Sequence, residues 1–215
     1  MKFLARVTPL FLAFFATLSF ASIVPVGVQV NVSKSDVQNT WGWTECYNGL
    51  GYDNTSIATI LAGCQGSHLM MAGYAGNSAN YSILAAAERT DVTFDTGVQS
   101  GSSDVSHTAN GSQWYFSNNW SWGFSALGNA VQLNSCDINL IGAYGNNTGM
   151  CWHTGGGNLN PGWAYNAGNN FQSIDNNFHR VLLVSNGPVD VPEPATLALL
   201  ALGLFGFAAA RRRKQ

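Results

Sequence analysis

The sequence predicts a mainly β chain: an antiparallel β-sandwich-like exported domain with one short helix, set between an N-terminal signal peptide and a C-terminal transmembrane helix. Three observations carry that expectation. Short runs of β-branched, aliphatic and aromatic residues recur between clusters of Gly, Asn and Ser, the pattern of strands punctuated by turns. Both ends of the chain are apolar segments flanked by Lys and Arg. All four cysteines fall between those ends. The organisation is therefore residues 1–21, 22–190 and 191–215.

In the first segment, Lys2 and Arg6 precede the apolar run Leu10 to Leu18, and Ser19-Phe20-Ala21 supplies the small residues that a signal peptidase reads. Cleavage is expected after Ala21. No lipobox cysteine accompanies it, which argues against a lipoprotein.

Between Ser22 and Asp190 lie 169 residues, enough for one domain with its own core. Only Lys34, Arg89 and Arg180 are basic there against ten acidic residues, a formal charge of 3 − 10 = −7. An acidic surface repels phosphate backbones, so nucleic acid is excluded as a partner. Solubility comes instead from Asn, Ser, Thr and Gly, which also hydrogen-bond readily to sugars.

Taking that region in order, Val26, Val28, Val30 and Val32 alternate with polar or small residues and predict a half-buried first strand. Trp41, Trp43 and Tyr47 surround Cys46. Asp53 to Gln65 predicts the one helix: Asn54 or Thr55 caps it, Ile57, Ile60, Leu61 and Cys64 share its buried face, and Gly66 ends it. Leu69 to Tyr74, Tyr81 to Ala87 and Asp91 to Phe94 read as strands, although Ala85 to Arg89 has helical propensity. Gly97 to Ser112 reads as a loop. His179 to Ser185, with its Val-Leu-Leu-Val centre, predicts a buried strand that closes the domain.

The most distinctive interior stretch is Gln113 to Phe124, QWYFSNNWSWGF. A two-residue turn at Asn118-Asn119 would set Ser117 opposite Trp120 and Tyr115 opposite Trp122. As a single strand, Trp114, Phe116, Trp120, Trp122 and Phe124 would form one stripe. Either geometry makes an aromatic platform able to stack on sugar rings, against the better-supported reading that these rings are core. A second cluster, Cys151-Trp152-His153-Thr154-Gly155-Gly156-Gly157-Asn158, combines an indole, an imidazole and a glycine run. Glycine allows close backbone approach to a ligand, and equally a tight turn. Trp120, Trp122, Trp152 and His153 are accordingly the candidate ligand surface.

An oxidising compartment makes disulfides the expected state of Cys46, Cys64, Cys136 and Cys151. Three connectivities are possible. Proximity favours Cys46 with Cys64 and Cys136 with Cys151, closing loops of about 18 and about 15 residues, each stabilising by about 3 kcal/mol. No Cys-x-x-Cys occurs, so zinc is not expected.

The last segment runs Pro192-Glu193-Pro194, then 16 uncharged residues from Ala195 to Ala210, then Arg211, Arg212, Arg213 and Lys214. Five Leu and two Phe in the apolar run favour insertion by roughly 2–4 kcal/mol together. As a helix it would reach about 24 Å, short of the ~30 Å hydrocarbon core, so the basic cluster must snorkel to the headgroups. The positive-inside tendency leaves that cluster cytoplasmic and everything before Pro192 across the membrane. The prolines keep the juxtamembrane segment extended and accessible.

Val191-Pro192-Glu193-Pro194, the apolar helix and the terminal Arg run together resemble the PEP-CTERM sorting signal of Gram-negative bacteria that make extracellular polysaccharide. The resemblance implies recognition by exosortase, an integral-membrane Cys peptidase that cuts near the Pro-Glu-Pro, with transient residence in the inner membrane and a final place at the cell surface or in the extracellular matrix. An ordinary tail anchor is the alternative. The Trp-rich hairpin and the Cys-Trp-His-Thr-Gly-Gly-Gly run are also similar to an uncharacterised ectodomain of exported bacterial proteins, which brings no activity with it.

No catalytic constellation is legible. The two glutamates of the central region, Glu45 and Glu88, are not spaced as an acid and base pair, no Gly-x-Ser-x-Gly occurs, and His68, His107, His153 and His179 form no metal-ligand motif. Asp91, Asp95 and Asp104 supply oxygens for Ca²⁺ but not the EF-hand pattern. The expectation is an exported surface or matrix protein of structural role, neither an enzyme nor a cofactor or metal binder. A module binding extracellular polysaccharide is the alternative, and a hydrolase a distant third.

Overall fold

β11 (Phe178–Ser185) is the strand around which the first sheet is assembled, because its side chains are apolar on both faces. Leu182 packs into one hydrophobic cluster and Val181 and Leu183 into another on the opposite side. Such a strand needs neighbours and cover on every side, and β11 pairs antiparallel with both β3 (His68–Ala75) and β2 (Thr44–Leu50). The computed structural model describes residues 22–97, 106–128, 148–168 and 171–187, and these residues lie in one compact unit, Ala21–Pro192.

The remaining strands are β1 (Gln29–Ser33), β4 (Asn80–Glu88), β5 (His107–Ala109), β6 (Ser112–Phe116), β7 (Ser121–Ala126), β8 (Gly149–Gly155), β9 (Asn158–Asn166) and β10 (Phe171–Ser173). They form two antiparallel sheets, ordered β1-β4-β3-β11-β2 and β10-β9-β8-β7-β6-β5. The main core lies between them: Leu69, Met71, Ile83 and Leu182 from the first meet Trp114, Trp122, Trp152 and Leu159 from the second. The chain is thus mainly β, as expected. The other face of the first sheet is also covered, by Trp43 and by Val37 of a π-helical turn, Asp36–Thr40. The signal segment 1–21 and the predicted span 195–210 lie outside the described residues. Among those described, no helix is long and apolar enough to cross a membrane.

Among the described residues the longest α-helix is α1 (Ile57–Gly63), shorter than the predicted Asp53 to Gln65. Its cap is Ser56, whose hydroxyl accepts from Thr59 N at 3.4 Å, rather than Asn54 or Thr55. Ile57, Ile60 and Cys64 are buried as the spacing requires. Cys64 is disulfide-bonded to Cys46, with Cα atoms 5.1 Å apart, which ties α1 to β2. Arg89 completes the helix end: its guanidinium donates to Leu61 O at 2.7 Å and to Cys64 O. These are carbonyls a helix C-terminus leaves unpaired.

Four local expectations need correction. Val26 to Val32 do not share a face: Asn31 takes φ = 53°, which breaks the alternation, so Val28 packs on the inter-sheet core and Val32 on the opposite cluster, while Val26 is 69% exposed. Asp91 to Phe94 is not a strand. The chain turns at α2 (Arg89–Val92), held where Trp122 Nε1 donates to Val92 O at 2.9 Å and Asp91 meets His107. Part of the loop Gly97 to Ser112 is β5, joined to β6 through Asn110 and Gly111, both at positive φ as a tight hairpin turn requires. The Trp-rich hairpin forms, but its register differs by one residue: Phe116 opposes Trp122, Tyr115 opposes Gly123, and Ser117 N donates to Ser121 O at 2.9 Å. A one-residue slip exchanges the two faces of a strand. The observed register buries the Phe116–Trp122 and Trp114–Phe124 ring pairs, with centroids 5.1 and 5.3 Å apart.

Candidate functional site

The register of the Trp-rich hairpin decides which tryptophans can meet a ligand. Trp122 and Trp152 are fully buried, their rings edge to face at 5.7 Å between the sheets, so this half of the predicted ligand surface is core. Trp120 occupies the third position of the turn 118–120. Of the tryptophan side chains the structure describes, it alone is exposed, at 39%.

That turn is held by its neighbour, the β8–β9 hairpin. Gly156 and Gly157 close the latter at φ = 58° and 78°, values that residues with a Cβ rarely adopt. Trp120 N donates to Thr154 Oγ1 at 2.9 Å, Thr154 N to Trp120 O at 3.0 Å, and Thr154 Oγ1 to Ser117 O. Gly157 N donates to Asn118 O at 3.0 Å and Gly156 N to Asn119 Oδ1 at 3.2 Å. The start of α1 braces the far side, with Ile57 N donating to Gly157 O at 2.9 Å.

His153 joins Trp120 through an irregularity in the ladder. Pairing of β8 with β9 shifts between Trp152 and Thr154, opposite Asn160-Pro161-Gly162. Pro161 has no N–H to give and Gly162 sits at φ = 81°, so the strand cannot continue in register there. The result is a cleft of about 290 Å³ lined by Asn119, Trp120, His153, Thr154, Gly155 and Asn160. A Cβ on Gly155 would fall 2.5 Å from Asn160 Nδ2, so only glycine lets that amide lie where it does. Trp120 and His153 thus line one cleft. Asn119 and Thr154 fall within the two stretches singled out above but not among the four candidate residues, and Asn160 lies outside both, although Asn-Pro-Gly within a strand is a bulge signal.

The other candidates are engaged elsewhere. Asp91 pairs with His107 at 2.7 Å, Asp95 Oδ1 accepts from Gly97 N at 2.8 Å, and Asp104 lies outside the described residues. Among the described residues no cluster of three or more His, Cys, Asp or Glu side chains is placed to hold a metal ion. His68, Glu88, Asp91 and Asn110 line a second hollow of about 350 Å³. His179 stacks on Tyr74 at 4.3 Å, with Lys34 Nζ 2.9 Å from the centroid of that tyrosine ring. Burial, and then Lys34, hold the His179 pKa below its ordinary value. Burial pushes Tyr81, which receives a bond from Gln38, up to about 12. Cys151 is disulfide-bonded and Tyr115 OH contacts its sulfur; the expected partner, Cys136, lies outside the described residues.

Val191, Pro192, Glu193, Pro194 and the basic cluster Arg211 to Lys214 also lie outside the described residues, but a family model decides what they are. It matches residues 190–214 as the PEP-CTERM protein-sorting motif. The chain carries a PEP-CTERM sorting signal. That signal implies export, processing by exosortase at the membrane, and then the surface. No curated protein and no solved structure matches the chain, so the likeness of the interior to an exported bacterial ectodomain gains no support.

Proposed function

We propose that this PEP-CTERM protein is a structural component of the cell surface or extracellular matrix, delivered by signal peptidase cleavage after Ala21 and exosortase cleavage near Pro192-Glu193-Pro194. The observation that carries the reading is the sorting motif at residues 190–214. The disulfide that ties α1 to β2 suits life outside an oxidation-poor cytoplasm. On this reading the β-sandwich performs no catalysis, the membrane helix 195–210 is a temporary hold, and the mature protein lacks both apolar ends. Intact mass of the protein recovered from its host tests it. A species lacking residues 1–21 and ending near Glu193 is expected, and one retaining Arg211 to Gln215 would leave an ordinary tail anchor in its place.

A second reading, binding of extracellular polysaccharide, is favoured by one specific observation: an exposed indole, Trp120, beside two asparagines in a preformed cleft. Quenching of tryptophan fluorescence by the host's own polysaccharide is the expected sign of it. Unchanged fluorescence across a concentration series would count against it.

A further inference from the structure

We infer that the Trp120 cleft is a single-residue subsite for an uncharged pyranose within a polymer, and that it discriminates against uronic-acid and other anionic glycans. The inference rests on the polysaccharide-binding reading and specifies its ligand. Trp120 supplies a flat apolar surface that is 39% exposed, on a turn fixed by hydrogen bonds to Thr154, Gly156 and Gly157. A platform held in place before binding loses little conformational entropy on binding. The C–H face of a pyranose is apolar and flat, whereas its rim is a ring of hydroxyls, so its receptor needs an aromatic face with amide donors and acceptors beside it.

The cleft provides that pairing. Asn119 Oδ1 is occupied by Gly156 N, which orients the amide, and its Nδ2 has no hydrogen-bond partner among the described residues. The Asn160 side chain makes no hydrogen bond among the described residues, while its carbonyl is fixed by Arg180 Nη1 at 2.8 Å. His153 borders the same space. None of the six lining residues carries an ammonium, guanidinium or carboxylate group. A uronate would therefore lose hydration without gaining a permanent cation, and the −7 formal charge of residues 22–190 opposes its approach. A space of about 290 Å³ admits one sugar residue rather than a run of them. Affinity for a free monosaccharide is then weak, and useful retention depends on many equivalent residues along one polymer, or on many protein copies along it.

The test uses full-length protein in detergent and measures retention on, and fluorescence quenching by, dextran, pullulan, galactomannan and alginate, with the host polysaccharide alongside. Retention by at least one neutral polymer and none by alginate is expected. Trp120→Ala should weaken retention by about tenfold or more, while Trp120→Tyr keeps part of it. Trp120 lies on a turn surface, and Asn160→Ala gives a second variant should the first fold poorly. Equal retention on alginate, or undiminished binding by both variants, would overturn this inference while leaving polysaccharide binding in place. Failure of the wild-type protein to bind any of the five would remove both.

Discussion

Replacing Arg180 offers the sharpest test of how the two sheets are joined. Arg180 lies on β11, is 0% exposed, and forms no salt bridge among the described residues; it donates instead to backbone carbonyls. Nη1 reaches Asn160 O at 2.8 Å on β9 of the other sheet, and Nη2 reaches Leu50 O at 3.1 Å and Asp53 O. Arg180→Met keeps most of the volume and strands Asn160 O and Asp53 O, at about 1–3 kcal/mol each if neither regains water, while Leu50 O keeps its bond from Asp53 N at 3.0 Å. Against that loss, several kcal/mol of guanidinium desolvation are relieved, and so is the cost of its Nε, which lacks a partner. The balance is a net loss of about 1–3 kcal/mol, and Arg180→Ala adds a cavity. For a domain of this size the midpoint of thermal unfolding falls by roughly 2–12 °C. Urea titration of the oxidised protein, followed by the buried tryptophans, measures it, with an unchanged slope showing that only stability moved. A Met variant within about 0.5 kcal/mol of wild type, or more stable, would show that the carbonyls find water and that Arg180 is not the tie described.

Other outcomes follow from single features. Cys46→Ser with Cys64→Ser should cost about 3 kcal/mol from the 18-residue loop, read by the same titration without reductant. Ser56→Ala should cost about 1 kcal/mol through loss of the bond to Thr59 N. Gly73→Ala should destabilise by about 1–3 kcal/mol, because its Cβ would fall 2.3 Å from Phe178 Cζ; a neutral result would mean that the ring moves aside. The His179 pKa is lower when folded than when unfolded, so the neutral ring favours the native state. That contribution is present above the ordinary value of 6.5 and lost as pH falls through it towards the folded pKa. His179→Gln should flatten stability between pH 5 and 7, and NMR titration of the ring gives the folded value directly.

Much of the frame was legible in the residues themselves. The Val-Leu-Leu-Val run in β11 and the apolar run of β3 read directly as buried strands, the β4 run read as a strand against the helical propensity of Ala85 to Arg89, and Ile57, Ile60 and Cys64 could share a face only in a helix. What escaped depended on single backbone dihedrals or on partners remote in sequence. Asn31 at positive φ undid a period-2 pattern that composition supported fully. The hairpin register was fixed by packing of Phe116 on Trp122 rather than by the turn sequence. The aromatic run could not announce which ring stays outside, because core and platform need the same side chains. Trp120 is outside because the turn has three residues, not two. Asn160 joins it from 40 positions away, through a bulge whose direction no local pattern states.

The disulfide of α1 also has a bearing on when this protein can fold. A helix of seven residues does not persist alone, and α1 is held by Cys46 to the first sheet and by the Ser56–Asn158 bridge to the second. In a reducing cytoplasm the thiols stay apart, and the chain lacks one of the ties between α1 and the first sheet. A precursor awaiting export must remain threadable, and an unlatched sandwich unfolds more readily. Once across the membrane the same two sulfurs join, and the fold becomes harder to reverse. Chemistry in the destination compartment thereby gives the journey a direction.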